Sequence, residues 1–372
     1  AEYYRDDTAL FEAFKSGKID VRAESLAKNW VTAYNFPAVK NGWIIKKEIL
    51  HKLPAPTYGL FFNTRRPIFS HPKVREALSQ CLNFKWLNEK FFYNLYQRNL
   101  SYYANSDFAA TGPLSDKEEK LLSPFKADLP PELFTDVFHL PESATEADFR
   151  KDLKKAQTLL DEAGWAIDNN VMKNKKTSEP FEFEFLLADR GFEKIILSLK
   201  QALHQIGIQV NVRLVDVTSY TYRVEHLDYD MIVGAIPQSP SIGNEQRDFF
   251  GSERADSFGT YNYAGIKNKA LDNLIEQLVQ VDNYTDLCAL GKAMDRVLMW
   301  NYYMIPAWGM KTRLLAYWDK LGMPAASPPY DPIHFTSWWI DKKKAKNLEE
   351  SVKKHSESRI KQLWNTMISL FS

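Results

Sequence analysis

An excess of charge of either sign is what this chain lacks first. Its 48 Lys and Arg residues face 47 Asp and Glu, a net charge of +1 over 372 residues. Near-neutrality removes the electrostatic argument for a nucleic acid or an acidic membrane surface as partner. Long apolar runs are missing too: no stretch of the sequence approaches the ~18–20 residues that span a bilayer. Only two cysteines occur, Cys81 and Cys288. Cys81 lies on the apolar stripe Val74, Ala77, Leu78, Cys81, Leu82, and Cys288 sits in a helical pattern with Leu287, Leu290 and Met294. Both read as buried free thiols, a mutual disulfide being the alternative, and the count fixes no redox compartment. The sequence opens at Ala1 with neither an initiator Met nor a signal peptide, so it reads as a mature chain or a piece of one.

Motifs that carry chemistry are absent as well. There is no GxGxxG or Walker A loop to cradle phosphate, no GxSxG elbow and no HExxH pair. The seven histidines (His51, His71, His139, His204, His226, His334, His355) are scattered, with none at helical i, i+4 spacing. Glu182 and Glu184 share one face of an amphipathic strand and read as solvated groups, not an acid/base pair. The expectation is a protein that is not an enzyme and needs neither cofactor nor metal.

What is present is an alternation of strand and helix patterns. Phe181, Phe183 and Phe185 alternate with Glu182 and Glu184, a half-buried strand. Phe192, Ile195, Ile196, Leu199, Ala202, Leu203 and Ile206 follow on one helix face, stopped by Gly207, and Ile208, Val210, Val212 and Leu214 alternate again. Strand, helix, strand at this spacing is a βαβ crossover between parallel strands. Asp216–Leu227 allows a helix, Tyr229–Ala235 is the next buried strand, and Asn268 is placed to cap a further helix. Pro72–Tyr93 reads as one long helix and 101–141, rich in Pro, Asp and Lys, as an irregular surface excursion. The fold class is α/β. At the end of the chain Ile360, Leu363, Trp364, Met367, Ile368 and Phe371 form a helical stripe that packs on the body, interfacial membrane attachment being the minority reading.

A long interval poor in long apolar residues, 236–260, leaves the carboxyl end of the Tyr229–Ala235 strand. Open α/β folds bind ligands at such ends, and loops beyond about 12–15 residues are uncommon unless functional or disordered. Gln238, Ser239, Asn244, Glu245, Arg247 and Asp248 offer donors and acceptors without a metal-like cluster, as a recognition surface would. The alternative is a solvated excursion. Aromatics at 14% suit cores and ligand clefts equally.

Several segments taken in order resemble the extracellular solute-binding proteins of family 5, the peptide-binding components of ABC importers. Asp7–Val21 (DTALFEAFKSGKIDV) and Tyr58–Leu78 (YGLFFNTRRPIFSHPKVREAL) match family segments, with Asn63, Thr64, Pro67, Val74, Arg75 and Ala77 in register. Leu159–Trp165 (LLDEAGW), Ile206–Val210 with Tyr229–Met231, and Tyr261–Glu276 (YNYAGIKNKALDNLIE) continue the series over about residues 3–340. PQSPSIGNEQ is most similar to the YejA-like oligopeptide-binding branch. The resemblance implies a periplasmic-binding-protein-like II fold, a bilobal clamshell in the periplasm holding an extended peptide in an interlobe cleft, largely by its backbone, for delivery to permease subunits. Another branch of the family would take haem, nickel or sugar, and a sensory or chaperone-like domain would reuse the fold.

The chain departs from the family pattern twice. It lacks the segment that precedes Ala1 in family members, so a partial first lobe (1–53) would be completed by another chain or belong to a fragment. A ligand-binding lobe (54–325), a return segment (326–344) and a charged, then amphipathic, helical tail (345–372) follow. Where the family has G-W-x-x-D after its Y-D-M strand, this chain has Ala235-Ile236-Pro237-Gln238-Ser239. A serine cannot make the charge-assisted bond to a peptide amine that a carboxylate makes, which transfers the anchor to Glu245 or Asp248. Asn63, Arg65, Asn262 and Tyr263 are further candidates for ligand contact, each with a structural alternative. Arg75 reads as the ion-pair partner of a helix neighbour and Trp308 as core.

Overall fold

The computed structural model of the chain describes residues 4–371 without 327 and 332, and leaves out the side chains of 335 and 359–371. The chain divides into two compact units, Ala1–Lys52 with Lys311–Ser372, and Leu53–Met310.

The first unit is built on an antiparallel sheet ordered Val21–Glu24, Thr312–Trp318, Ile44–Leu50. Its central strand comes from the far end of the chain. The division at 325 expected from sequence is therefore displaced: residues 312–318 hydrogen-bond to first-unit strands on both sides, and Leu315 and Tyr317 pack with Ile49 and Leu321. The 326–344 segment stays with this unit, with Lys52 N–H donating to Pro329 O and Trp339–Ile340 pairing with Leu321–Gly322. The helix Lys342–Phe371 follows, and the stripe Ile360 to Phe371 lies outside the described side chains.

In the second unit the elements are β1 (Thr57–Phe62), α1 (Pro72–Gln80), α2 (Phe84–Phe91), α3 (Glu146–Glu162), β2 (Glu182–Leu187), α4 (Glu193–Gln205), β3 (Gln209–Leu214), α5 (Val217–Glu225), β4 (Met231–Ile236), α6 (Lys269–Gln280), α7 (Tyr284–Trp300) and β5 (Met304–Pro306). The sheet order is β5-β1-β4-β2-β3, with β4, β2 and β3 parallel and β1 antiparallel to both its neighbours. The βαβ unit read from sequence is β2-α4-β3. Gly207 ends α4 at a φ of +82°, and a Cβ there would meet Met172 N at 2.7 Å, so the turn admits glycine alone without a shift. Alternation divides the buried residues between the sheet faces. Leu60, Phe62, Phe183 and Phe185 pack with α1, α3 and α4, whereas Phe61, Leu186 and Ile232 pack with α6 and α7.

Two sequence expectations are corrected here. The single helix over 72–93 is two, because Asn83 accepts from Trp86 N–H at 3.0 Å and so starts α2 afresh. Residues 101–141 are no surface excursion: Tyr102, Tyr103, Phe108, Leu122, Leu129 and Leu133 are core, under a skin of Pro, Asp and Lys.

Among the described residues Arg75 takes no ion pair either. It is buried, and its guanidinium donates to Asn301 O (3.0 and 2.7 Å), Phe69 O (2.7 Å) and Ser70 O (2.9 Å). Burial pulls its pKa down to about 10, which still leaves it charged at neutral pH. It ties the start of α1 to the end of α7. Arg75→Met keeps most of the volume but leaves three carbonyls without their donor, and we expect a loss of about 3 kcal/mol in urea unfolding. An unchanged midpoint would show that these bonds have no net worth.

Candidate functional site

Strands β2 and β4 both end at the carboxyl edge of the second unit's sheet, and antiparallel β1 begins there, Thr57 opposite Ile236 and Tyr58 opposite Ala235. From β2 the chain crosses to β3 on one side and then passes back to β4 on the other. Such a reversal leaves a crevice outside the strand ends, where open α/β sheets bind ligands.

A cavity of about 200 Å³ opens at this edge, lined by Tyr58, Leu187, Asp189, Phe192, Tyr220 and Val233 among others. The rings of Tyr58 and Phe192 lie 5.7 Å apart at 42°. Tyr220 is held by its hydroxyl, which donates to Val233 O at 2.9 Å. Burial, then the nearby Asp189 charge, pushes the Tyr58 phenol up to about 12, so it is a neutral donor at physiological pH. Asp189 follows β2 directly. Its Oδ1 accepts from Gly191 N–H at 2.7 Å, closing the turn Arg190–Phe192 into α4, and among the described residues its carboxylate has no ion-pair partner.

At the same edge the chain leaves β4 after Ile236. Gln238 Nε2 donates to Thr57 Oγ1 at 3.0 Å, and Thr57 Oγ1 donates in turn to Tyr102 O. Gln238 Oε1 is buried and finds no partner among the described residues. The backbone that follows is open. Among the described residues, no backbone hydrogen bond reaches the N–H groups of Gln238, Ser239 and Ser241 or the carbonyls of Pro237, Gln238, Ser239 and Pro240. Polar backbone is ordinarily paired with protein or water, and Pro237, Ser239, Pro240 and Ser241 are exposed, so this stretch faces solvent with donors and acceptors free.

The ten residues singled out in the sequence fall into three places. Gln238 and Ser239 lie at the carboxyl edge, where the Ser239 hydroxyl bonds to Ser241 O. Glu245, Arg247 and Asp248 belong to a helix, Glu245–Phe250, that Asn244 precedes, in the interval read as a long loop. Gln246, Phe249 and Phe250, spaced i, i+3, i+4, are buried and fold that interval onto the core. Glu245 accepts from Gly243 N–H (2.8 Å) and Gln246 Nε2 (3.0 Å), Arg247 makes a two-pronged pair with Glu276 (2.8 and 2.6 Å), and Asp248 pairs with Arg254 at 3.0 Å. Asn244 accepts from Arg247. Of the two carboxylates proposed as amine anchors, Asp248 is ion-paired, and Glu245 holds Gly243 and Gln246 through Oε1.

Asn63, Arg65, Asn262 and Tyr263 form a knot at the opposite edge, beyond Phe62, which pairs with Met231 at the start of β4. Six residues of strand put roughly 20 Å between that edge and Gln238. Arg65 donates to Ala255 O (2.9 Å), Asn262 O (3.0 Å), Tyr263 O (3.2 Å) and Asn63 Oδ1 (2.8 Å). Asn63 Nδ2 donates to Tyr229 O at 2.8 Å, and Asn262 bonds Gly251 O, Ile266 O and Ile266 N–H. Asn63 and Asn262 have no exposed surface. Their role is to brace backbone, which corrects the expectation of ligand contact. Tyr58, Asp189, Phe192 and Tyr220 were not singled out beforehand. The signal that finds Asp189 and Phe192 is the rule applied to β4 but not to β2, that residues just past a parallel strand face the crevice; Tyr58, within β1, and Tyr220, within α5, carry no such signal.

The family described as bacterial extracellular solute-binding proteins, family 5, matches residues 1–257 of this chain. The uncharacterized protein YejA of Escherichia coli K12 is 38% identical over 353 residues, covering 95% of this chain and 58% of its own length. The probable peptide-binding protein YejA of Agrobacterium fabrum is 36% identical over 342 residues, covering 91% of this chain and 56% of its own. The chain thus spans a little over half the length of these relatives, and the matches give no support to a second chain supplying a further lobe. The oligopeptide-binding protein AppA of Bacillus subtilis, solved with a nonapeptide, superposes with a TM-score of 0.65 at 18% identity, over 91% of this chain and 59% of that one. At that identity the likeness shows the fold, which is the α/β fold of these binding proteins.

Thr57 joins Gln238 to the core, so Thr57→Val, of equal volume, unties it. We expect about 1–2 kcal/mol less stability in urea unfolding, from one lost donor at Tyr102 O and one lost acceptor for Gln238. Equal stability of the variant would mean that Gln238 is placed by something else.

Proposed function

The chain belongs to the bacterial extracellular solute-binding proteins of family 5, and we propose that it captures oligopeptides at the carboxyl edge of its second unit for delivery to the permease of an ABC importer. The observation that carries this reading is the exposed backbone of 237–241, without backbone hydrogen bonds among the described residues, at the same carboxyl edge of the sheet as an aromatic-lined cavity. An extended peptide offers N–H and C=O groups whatever its side chains, and a run of free protein backbone recognises that main chain with little sequence preference. Water completes the pairing around variable side chains.

The relatives agree with this chemistry: one is a probable peptide-binding protein and a structural neighbour is solved with a nonapeptide. The same family supports the absence of catalysis, since its members are binding proteins. We place the protein in the periplasm in keeping with the family's extracellular description, and no described helix is long and apolar enough to cross a membrane.

Native mass spectrometry of the purified chain with a tryptic digest of unrelated proteins tests the reading. Mixed sequences of narrow length range should be retained in preference to free amino acids. If the chain retains none, or retains a single non-peptide compound such as a haem or a metal complex, peptide capture is wrong.

A further inference from the structure

We propose that the cavity lined by α2, α3 and α4 is a saccharide site, separate from the carboxyl edge, where a neutral pyranose ring lies against Trp86. The cavity has a volume of about 340 Å³ and lies wholly within the second unit. That volume falls inside the ~300–1,000 Å³ range of small-molecule pockets. Its place in the fold sets it apart from 237–241. Helix α4 leaves the carboxyl edge after β2 and runs back to the opposite edge, where Gln209 pairs with Glu182. The cavity takes in the second half of that helix, at Ser198, Gln201 and Gln205.

The lining combines aromatic surface with neutral polar groups. Trp86, in the first turn of α2, lines the cavity and is 41% exposed. Phe149 and Ala202 add apolar surface that continues into the core. Ser198, Gln201 and Gln205, spaced i, i+3 and i+7, share one face of α4. Among the described residues their side chains make no hydrogen bond. Asn83 uses its Oδ1 to accept from Trp86 N–H at 3.0 Å, which leaves its Nδ2 group unengaged among the described residues. Amides and hydroxyls both donate and accept, as the neighbouring hydroxyls of a sugar do. The C–H face of a pyranose is a weakly positive surface of the kind that the negative face of an indole attracts.

Other ligand classes match this lining less well. Its charges nearly cancel: Lys85 and Glu89 stand four residues apart on α2, and Glu146 accepts from Arg150. Neither an anion nor a cation meets a surplus of the opposite sign. Most of the lining is helix, whose N–H and C=O groups pair within the helix. A peptide main chain therefore finds little free backbone here, in contrast to 237–241. A wholly apolar ligand would cover Ser198, Gln201 and Gln205 and leave their polar groups without water or partner.

Ligand-observed saturation-transfer NMR of the full chain with cellobiose, maltose, N,N′-diacetylchitobiose and glycerol tests the site. At least one disaccharide should bind saturably. Glycerol, which has hydroxyls but no ring face, should not. Trp86→Ala should weaken the bound disaccharide at least about tenfold, and Trp86→Phe, which keeps a ring, should stay within about threefold. Gln201→Ala should cost about three- to tenfold, the scale of one neutral hydrogen bond. Both positions are exposed, so the variants should keep the urea midpoint of the unmodified protein.

If no disaccharide binds, or if binding is the same in Trp86→Ala and Gln201→Ala, the proposal is wrong. Displacement of the disaccharide by tetra-alanine would give the cavity to peptide capture and overturn it as well. Disaccharide binding that depends on Trp86, in a chain that retains no peptide, would keep this site and overturn only the peptide reading.

Discussion

The buried carboxylate of Asp295 fixes the edge on which the rest of the site depends. It has no exposed surface, and it accepts from Tyr102 N–H at 2.7 Å and Ala110 N–H at 2.8 Å. Burial raises its carboxyl to about 6, while the backbone donors pull the other way and keep the ion in place at neutral pH. With both N–H groups held, the turn that carries Tyr102 lies where its carbonyl meets the Thr57 hydroxyl, and that hydroxyl meets Gln238. A core acid thus places a loop residue at the surface through two intervening residues. The free backbone of 237–241 is offered in a set position because its first polar side chain is tied down.

The two edges of the same sheet divide the work. At the end of β1 Arg65 gathers four oxygen acceptors, and Asn63 and Asn262 have their amides fully engaged with backbone. Unsatisfied buried polar groups are costly, so this edge is closed and rigid by construction. At the start of β1 the opposite holds. Gln238 Oε1 is without a partner among the described residues, Asp189 has no counter-ion among them, and four carbonyls carry no backbone bond. Unmet bonding capacity beside a cavity is what a ligand supplies.

Much of the frame was legible in the sequence, because periodicity survives tertiary context where burial is one-sided. The alternation of Phe181, Phe183 and Phe185, the α4 face and the Gly207 stop give β2-α4-β3 in place, and Asn268 does cap α6, accepting from Ala270 and Leu271 N–H. The loss came where composition was read instead of spacing. Phe249 and Phe250 sat inside an apparently polar interval, yet with Gln246 they make one buried turn. Residues 101–141 hid six core side chains among prolines and charges. Asn63 and Asn262 show a deeper limit, since an amide type does not say whether it faces a ligand or a neighbouring carbonyl; only the fold brings Tyr229 O or Gly251 O within reach. Asp189 was within reach of sequence reasoning, two residues past β2 and two before Gly191, had both strand ends been weighed alike. The family resemblance supplied the function class, and Ser239 marks where the chain departs from the family pattern.

Amide hydrogen exchange of the chain with and without a bound peptide pool tests the central claim most directly. Gln238, Ser239 and Ser241 have no backbone acceptor for their N–H groups among the described residues, so a peptide main chain pairing there should slow their exchange markedly, while Arg65 and Asn262 at the opposite edge should exchange unchanged. Protection spread elsewhere, with 238–241 exchanging as fast as before, would contradict capture by this backbone.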